Sequence, residues 1–423
     1  MKRKATTATL IAATLLAASM FFGASASAQG KPVKWSLLVY FAADNHLDAD
    51  VYGVPLIDSA LERLTSVGST DDVAVYALVD RRTGADRLFK ANKGSLEEIT
   101  GFAPPGSQIN TGDPATLRRF VTYTESLTPA DNTALIVWDS GSLGYIATDT
   151  QGAPIHGFYN YDIVDYLTHL EAIEALDGLN VDILGADECN VGYLELAYEY
   201  AINHTAQYLL AGPTFIGWRG FPYDALVGEM TKNPDMTPRD AAVMMVEQRE
   251  LFVDQPPYQM ERTNAFSAID LAKVEDLAAK LNVLTGLLKP EMARYIDIVS
   301  KARAQANMAY AQNPMNRIDL MTFVQVINAN SGGTKRSRSN SSAAVHAASR
   351  AVMSAIDASV AALQTTGTTE HMTSGLGIYM PNQPSELPES SVGLPAGGYN
   401  GYAFPPQGWM AFLEAYWAAH GKP

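Results

Sequence analysis

Short apolar runs, each closed by acidic or turn-forming side chains, alternate along this chain with longer stretches of helical period. Trp35 to Ala42 runs into Asp44-Asn45-His46, and Val73 to Val79 into Asp80-Arg81-Arg82. Thr133 to Trp138 runs into Asp139-Ser140-Gly141, and Val181 to Ala186 into Asp187-Glu188-Cys189. Runs this continuous suit strands buried on both faces. Gln207 to Ala211, Ala265 to Ile269 and Gly375 to Met380 read the same way. Between them, Ile163, Leu167, Leu170 and Ile173 fall on one helical face, and Val191, Leu194, Tyr198 and Ile202 repeat that spacing directly after Cys189. Pro114 to Leu127 and Leu271 to Leu288 also read as helices. The alternation predicts an α/β fold, a three-layer α/β/α sandwich around a mostly parallel central sheet. In such sheets chemistry gathers outside the carboxyl ends of the strands, so the polar turns just named are the place to search.

The first residues follow a different pattern. Lys2-Arg3-Lys4 precedes an apolar segment from about Leu10 to Phe22, followed by Ala26-Ser27-Ala28. This reads as a secretory signal peptide over residues 1–28, too short and Ala-rich to read as a membrane anchor, and implies a periplasmic or extracellular protein. Its removal takes the formal charge from −15 to −18, which disfavours nucleic acid and anionic membrane as partners and suits cationic ligands or basic peptides. One cysteine permits no internal disulfide, so the 47% apolar content must hold the fold through a hydrophobic core. Lacking a Pro/Ser/Gly linker, residues 29–423 read as one domain, with its core over about 33–270 and helical additions plus a last core strand over about 271–420. The polar, basic stretch from Ser331 to Ser342 reads as an exposed loop. No His-x3-His or Cys/His pair suggests a transition metal, and no cofactor is implied. Asp44, Asp48 and Asp50 read as a solvated helix start rather than a calcium site, calcium being the one ion left open.

Cys189 is the strongest chemical candidate. A nucleophilic thiol needs a base, donors for an oxyanion and a pocket for the adjoining substrate residue. Cys189 follows a strand and precedes a helix, whose N-terminal amides could lower its pKa, and Gly141 could offer an oxyanion N–H. A serine-hydrolase reading fails, because Gly141-Ser142-Leu143-Gly144 is not a Gly-x-Ser-x-Gly elbow.

These residues carry a resemblance. Leu135-Ile-Val-Trp-Asp-Ser-Gly-Ser142 is similar to the Trp-Asp/Asn-His-Gly-Ser turn of the clostripain family of cysteine peptidases, and Ile183-Leu-Gly-Ala-Asp-Glu-Cys189 resembles its Gly-Phe-Asp-Ala-Cys nucleophile turn. Val39 to Leu47, Gly217 to Tyr223 and Gly375 to Pro381 resemble three further markers in the family's order. The resemblance implies a caspase-like fold and endopeptidase cleavage after Arg or Lys. By position, Cys189 would be the nucleophile, Asp187 an acidic wall of the pocket for a basic side chain, with Asp139 beside it, and Gly141 with the Cys189 amide the oxyanion hole.

The position of the catalytic histidine holds Ser140. A hydroxyl cannot act as a general base near neutral pH, and Asp139, Asp187 and Glu188 all disfavour a thiolate. His46, at the end of the first strand, is the best alternative base and His156 the next, while His169, His204, His346, His371 and His420 read as solvent-facing or packing residues. Self-processing at Lys or Arg in the loop after position 140 is also impossible, since neither occurs between Arg119 and Arg219. Three functions follow. The leading one is a catalytically impaired homologue (a pseudopeptidase) that binds peptide or protein in the retained cleft. The others are an active cysteine endopeptidase with a non-standard base, and a chain in which Cys189 is a buried structural residue.

Overall fold

Along the strand Val33–Ala43, Trp35, Leu37, Val39, Phe41 and Ala43 enter one hydrophobic cluster, and Leu38, Tyr40 and Ala42 enter another. Successive side chains of a strand point to opposite faces, so a run apolar at every position supplies two cores at once. This computed structural model describes residues 32–45, 47–48, 50–51, 54–82, 84–151, 165–214, 216–217, 219–253, 265–307, 316–331, 340–365, 374–388 and 393–420. The residues of the signal-peptide reading, His46, His156 and His371 lie outside them.

The central sheet has nine strands, in the order Val360–Thr365, Ala265–Asp270, Tyr208–Ala211, Ile183–Asp187, Ala130–Trp138, Val33–Ala43, Val73–Arg81, Arg87–Asn92 and Ser95–Glu98. The middle five are parallel. Two antiparallel strands flank them on each side, so the sheet is mixed rather than mostly parallel. The connections explain this. Residues 82–86 and the Lys93-Gly94 turn are too short for the crossover that a parallel neighbour requires. Helices Leu56–Val67, Tyr223–Lys232 and Pro238–Val253 contribute to the first core. Helices Pro114–Leu127, His169–Leu176, Leu194–Ile202, Val274–Leu288, Leu320–Ser331, Asn340–Ser359 and Trp409–His420 contribute to the second. The result is the three-layer α/β/α architecture.

Several local expectations need correction. Gly377–Tyr379 is not a strand of the main sheet but pairs with Arg317–Asp319. The edge strand is Val360–Thr365, which continues directly from a helix and carries no alternating pattern of its own. The helix expected through Leu167 starts only at His169, because Thr168 caps it through a reciprocal bond with Glu171, and Asp165–Thr168 forms a strand. Asp44 and Asp48 do not start a helix. Asp44 is buried and accepts from Thr150 Oγ1 at 2.7 Å, Asp48 pairs with Arg81 at 2.8 Å, and the helix begins at Leu56. Both ends of the expected basic loop are helical, at Ser331 and from Asn340. No helix among the described residues is long and apolar enough to cross a membrane.

The chain places Val73–Arg81 on one side of the first strand and then returns to place Ala130–Trp138 on the other. The order of strands therefore reverses between Val33–Ala43 and Ala130–Trp138, the kind of switch point at which open α/β sheets place their ligand sites. Asn45 lies just past one of these strands, and its Nδ2 donates to Asp139 Oδ1, just past the other, at 2.9 Å.

Candidate active site

The turn after Ala130–Trp138 is built on Asp139. Its Oδ1 accepts from the Ser140 N–H at 2.5 Å, and its Oδ2 from the Thr148 N–H at 2.6 Å and Thr148 Oγ1 at 2.8 Å. Burial pushes this carboxyl up to about 7, against the pull of those hydrogen bonds. Gly141 follows at φ +59°, a left-handed conformation that glycine takes without strain. A Cβ there would also lie 2.5 Å from the Glu188 Cβ, so the two strand-end turns meet at a contact that admits no side chain.

Glu188 is fully buried, and among the described residues neither carboxyl oxygen has a hydrogen-bond partner. Burial, reinforced by Asp139 and Asp187, holds it well above the usual carboxylate range, which favours its neutral form.

A helix follows Cys189, but not directly. The next helix starts at Leu194, and the intervening residues include Asn190 at φ +61°. The chain turns back here because the Asn190 N–H donates to the Thr214 carbonyl at 3.0 Å, and those of Val191 and Gly192 donate to the Gly212 carbonyl at 3.0 and 2.9 Å. These amides serve the fold rather than an anion. The Cys189 N–H is itself donated to the Ser140 carbonyl at 3.0 Å, so one of the two amides expected for the oxyanion is already engaged. The Cys189 sulfur is buried against Ile216, 3.4 Å from its nitrogen and 3.8 Å from its oxygen. Desolvation pushes the thiol up to about 12. The Ile216 N–H and Arg249 pull the other way, and Glu188 and Asp187 add to the rise.

His169 is the described histidine nearest this chemistry in the chain of contacts, and sequence reading missed its role. It is fully buried, with Nε2 2.8 Å from the Ser142 carbonyl and Nδ1 2.8 Å from the Tyr200 hydroxyl. A carbonyl only accepts, so Nε2 carries the proton and Nδ1 accepts from Tyr200. Burial lowers its pKa to about 4, and both nitrogens are committed. His169 braces the turn that carries Ser140 and is not poised as a base.

Asp187 is 2% exposed and forms a buried ion pair with Arg249, at 3.8 Å. Gly220, at φ +74°, lies so close that a Cβ would sit 3.0 Å from Asp187 Oδ2 and 3.3 Å from Trp138 Nε1. Arg249 is the second residue that sequence reading missed, since nothing in the pattern around Pro238–Val253 marks one arginine as turned inward. Among the described residues no group of three or more His, Cys, Asp or Glu is arranged to hold a metal ion.

The sequence profile described as the clostripain family matches residues 39–414. The curated relative Clostripain, from Hathewaya histolytica, is 26% identical over 253 residues, 50% of this chain and 46% of the relative. The chain thus aligns with less than half of that protein's length. Among solved structures, an inactive zymogen C11 protease from Parabacteroides distasonis matches with a TM-score of 0.59 at 19% identity, over 91% of this chain and 98% of that one. A secreted C11 cysteine protease from Bacteroides thetaiotaomicron, in complex with an irreversible peptide inhibitor, matches with a TM-score of 0.60 at 17% identity, over 92% and 100%. At such identities the structures speak for the fold, and the profile, which spans most of the chain, speaks for the descent. The chain belongs to the clostripain family, as a cysteine-peptidase homologue of caspase-like fold.

Proposed function

We propose that this chain is an exported, periplasmic or extracellular clostripain-family homologue with impaired peptidase chemistry, which acts by binding a peptide or a segment of a protein in the family's cleft. The observation that carries the reading is the state of Cys189. Its sulfur is packed against the Ile216 main chain, its thiol is pushed up to about 12, and its amide is committed to Ser140. Ser140 occupies the position of the catalytic histidine, and a hydroxyl there neither takes the thiol proton nor protonates a leaving amine. Loss of general acid–base help is worth about two to four powers of ten in rate. Asp187 and Asp139, at the ends of neighbouring strands, would flank the bound segment. The basic N-terminus followed by an apolar segment and Ala26-Ser27-Ala28 supports export.

A second reading, an active endopeptidase using His46 as its base, draws on one contact. Asn45, which precedes His46 in the sequence, donates to Asp139 of the candidate turn at 2.9 Å. The mature protein, incubated with a mixed peptide library, should bind members of it and leave all of them intact. Cleavage abolished by Cys189→Ala would overturn the impaired reading, and its further loss in His46→Ala would establish the second.

A further inference from the structure

A cation lies buried beside the candidate specificity acid. Arg249 projects from the Pro238–Val253 helix and is 0% exposed. Its guanidinium carbon lies 4.6 Å from the centre of the Phe266 ring and 5.8 Å from that of Phe221. Its Nη2 reaches 3.8 Å from Asp187 Oδ1, and its Nη1 reaches Gln364 Oε1 at 3.5 Å. An aromatic slot with a carboxylate at its end is how a protein takes up a basic side chain. Here the slot is filled from inside by the chain's own arginine.

We propose that Arg249 is a built-in occupant of the Asp187 pocket, so that the site excludes Lys and Arg and takes an uncharged side chain beside Cys189. This rests on the reading that the cleft binds peptide. A second basic side chain would meet a carboxylate already paired in a low-dielectric interior, and would be repelled by the resident guanidinium. The surroundings add to the repulsion. Arg63 stands over the Tyr223 ring at 5.8 Å, its Nη2 donates to the Arg219 carbonyl at 2.5 Å, and it lies within electrostatic reach of Asp187. Space is also short, because Gly220 packs so close to Asp187 that a Cβ there would lie 3.0 Å from its Oδ2. The family's preference for basic residues is thereby cancelled without loss of its acid.

The test uses the full mature chain and fluorescent peptides that differ at one position, occupied by Lys, Arg, Gln, Leu or Ala. Anisotropy should give affinities at least about tenfold weaker for Lys and Arg than for the uncharged residues, and Arg249→Ala should strengthen Lys and Arg binding by about tenfold or more. Because Arg249→Ala leaves Asp187 without its cation, its melting is followed with added methylguanidinium, a small cation of the lost group's shape. A dose-dependent rise in melting temperature, absent from the parent chain, is expected. A parent chain that prefers Lys or Arg overturns the proposal, as does an Arg249→Ala chain that gains neither basic-peptide affinity nor stabilisation by methylguanidinium. If no peptide binds the parent chain, the peptide-binding reading fails, and methylguanidinium alone decides whether Arg249 occupies a pocket of its own shape.

Discussion

The main-chain N–H of Cys189 donates to the carbonyl of Ser140 at 3.0 Å. That bond ties the nucleophile turn to the turn that would carry its base, and it spends an amide that catalysis would need for an oxyanion. Ser140 therefore acts through its backbone as a brace.

The thiol should be inert while the protein is folded. With its pKa pushed up to about 12, Cys189 would react with iodoacetamide near pH 7.5 about three powers of ten more slowly than a free thiol of pKa about 8.5. Mass spectrometry of alkylated samples, with and without guanidinium chloride, checks this. Modification of the native chain within minutes would contradict the burial of the sulfur.

On the impaired-peptidase reading, an imidazole at position 140 should give the site some chemistry. Ser140→His places a base on the turn that the Cys189 N–H already contacts, and an imidazolium there would also stabilise the thiolate. Cleavage of a peptide library, or labelling by a peptidyl electrophile, should rise by about two powers of ten or more over the parent and vanish with Cys189→Ala. An unchanged rate in a folded variant would mean that the engaged Cys189 amide and the buried sulfur, not the residue at position 140, limit the site.

Stability should fall as pH rises. Asp139 is raised from 3.8 to about 7, and Glu188 is raised well above 4.5, both chiefly by burial. The folded state therefore holds protons that the unfolded state releases. Their contribution is fully present below the unfolded values and is lost as pH rises through the folded ones. The melting temperature should drop between about pH 5 and pH 8. Glu188→Gln, which loses no hydrogen bond, should flatten that slope and raise the midpoint at about pH 8 by a few degrees. Calorimetry across the range is the check, and a parallel slope in the variant would count against a buried, proton-holding Glu188.

Gly141 and Glu188 should be coupled. Gly141→Ala puts a methyl at φ +59° into the space of the Glu188 side chain, and should destabilise by about 2–4 kcal/mol. In a Glu188→Gly background, which removes the Glu188 Cβ as well as its carboxyl, that clash disappears, leaving about 1–2 kcal/mol for the left-handed backbone. A double-mutant cycle by denaturant unfolding measures the difference, and strictly additive losses would refute the contact.

The parallel core of the sheet and its order of turns could be read from the chain, because a strand buried on both faces leaves an uninterrupted apolar run. The runs ending at Asp44, Asp80, Asp139 and Asp187 coincide with the strands Val33–Ala43, Val73–Arg81, Ala130–Trp138 and Ile183–Asp187. The edge strands were harder, since Val360–Thr365 is part-exposed and extends a helix without a break, so its partners rather than its own residues decide its state.

The sequence alone determined the family, the single thiol, the serine at position 140 and the acid at position 187, because each is a matter of residue identity at a place in a motif. Only the tertiary structure decided what those groups can do. How far beyond Cys189 the next helix starts depended on hydrogen bonds to Thr214 and Gly212, distant in sequence. Whether Asp187 can receive a cation depended on Arg249, some 60 residues further along and turned inward by its helix. Burial set the protonation of Cys189, Glu188 and His169, and burial belongs to the packed whole rather than to any segment.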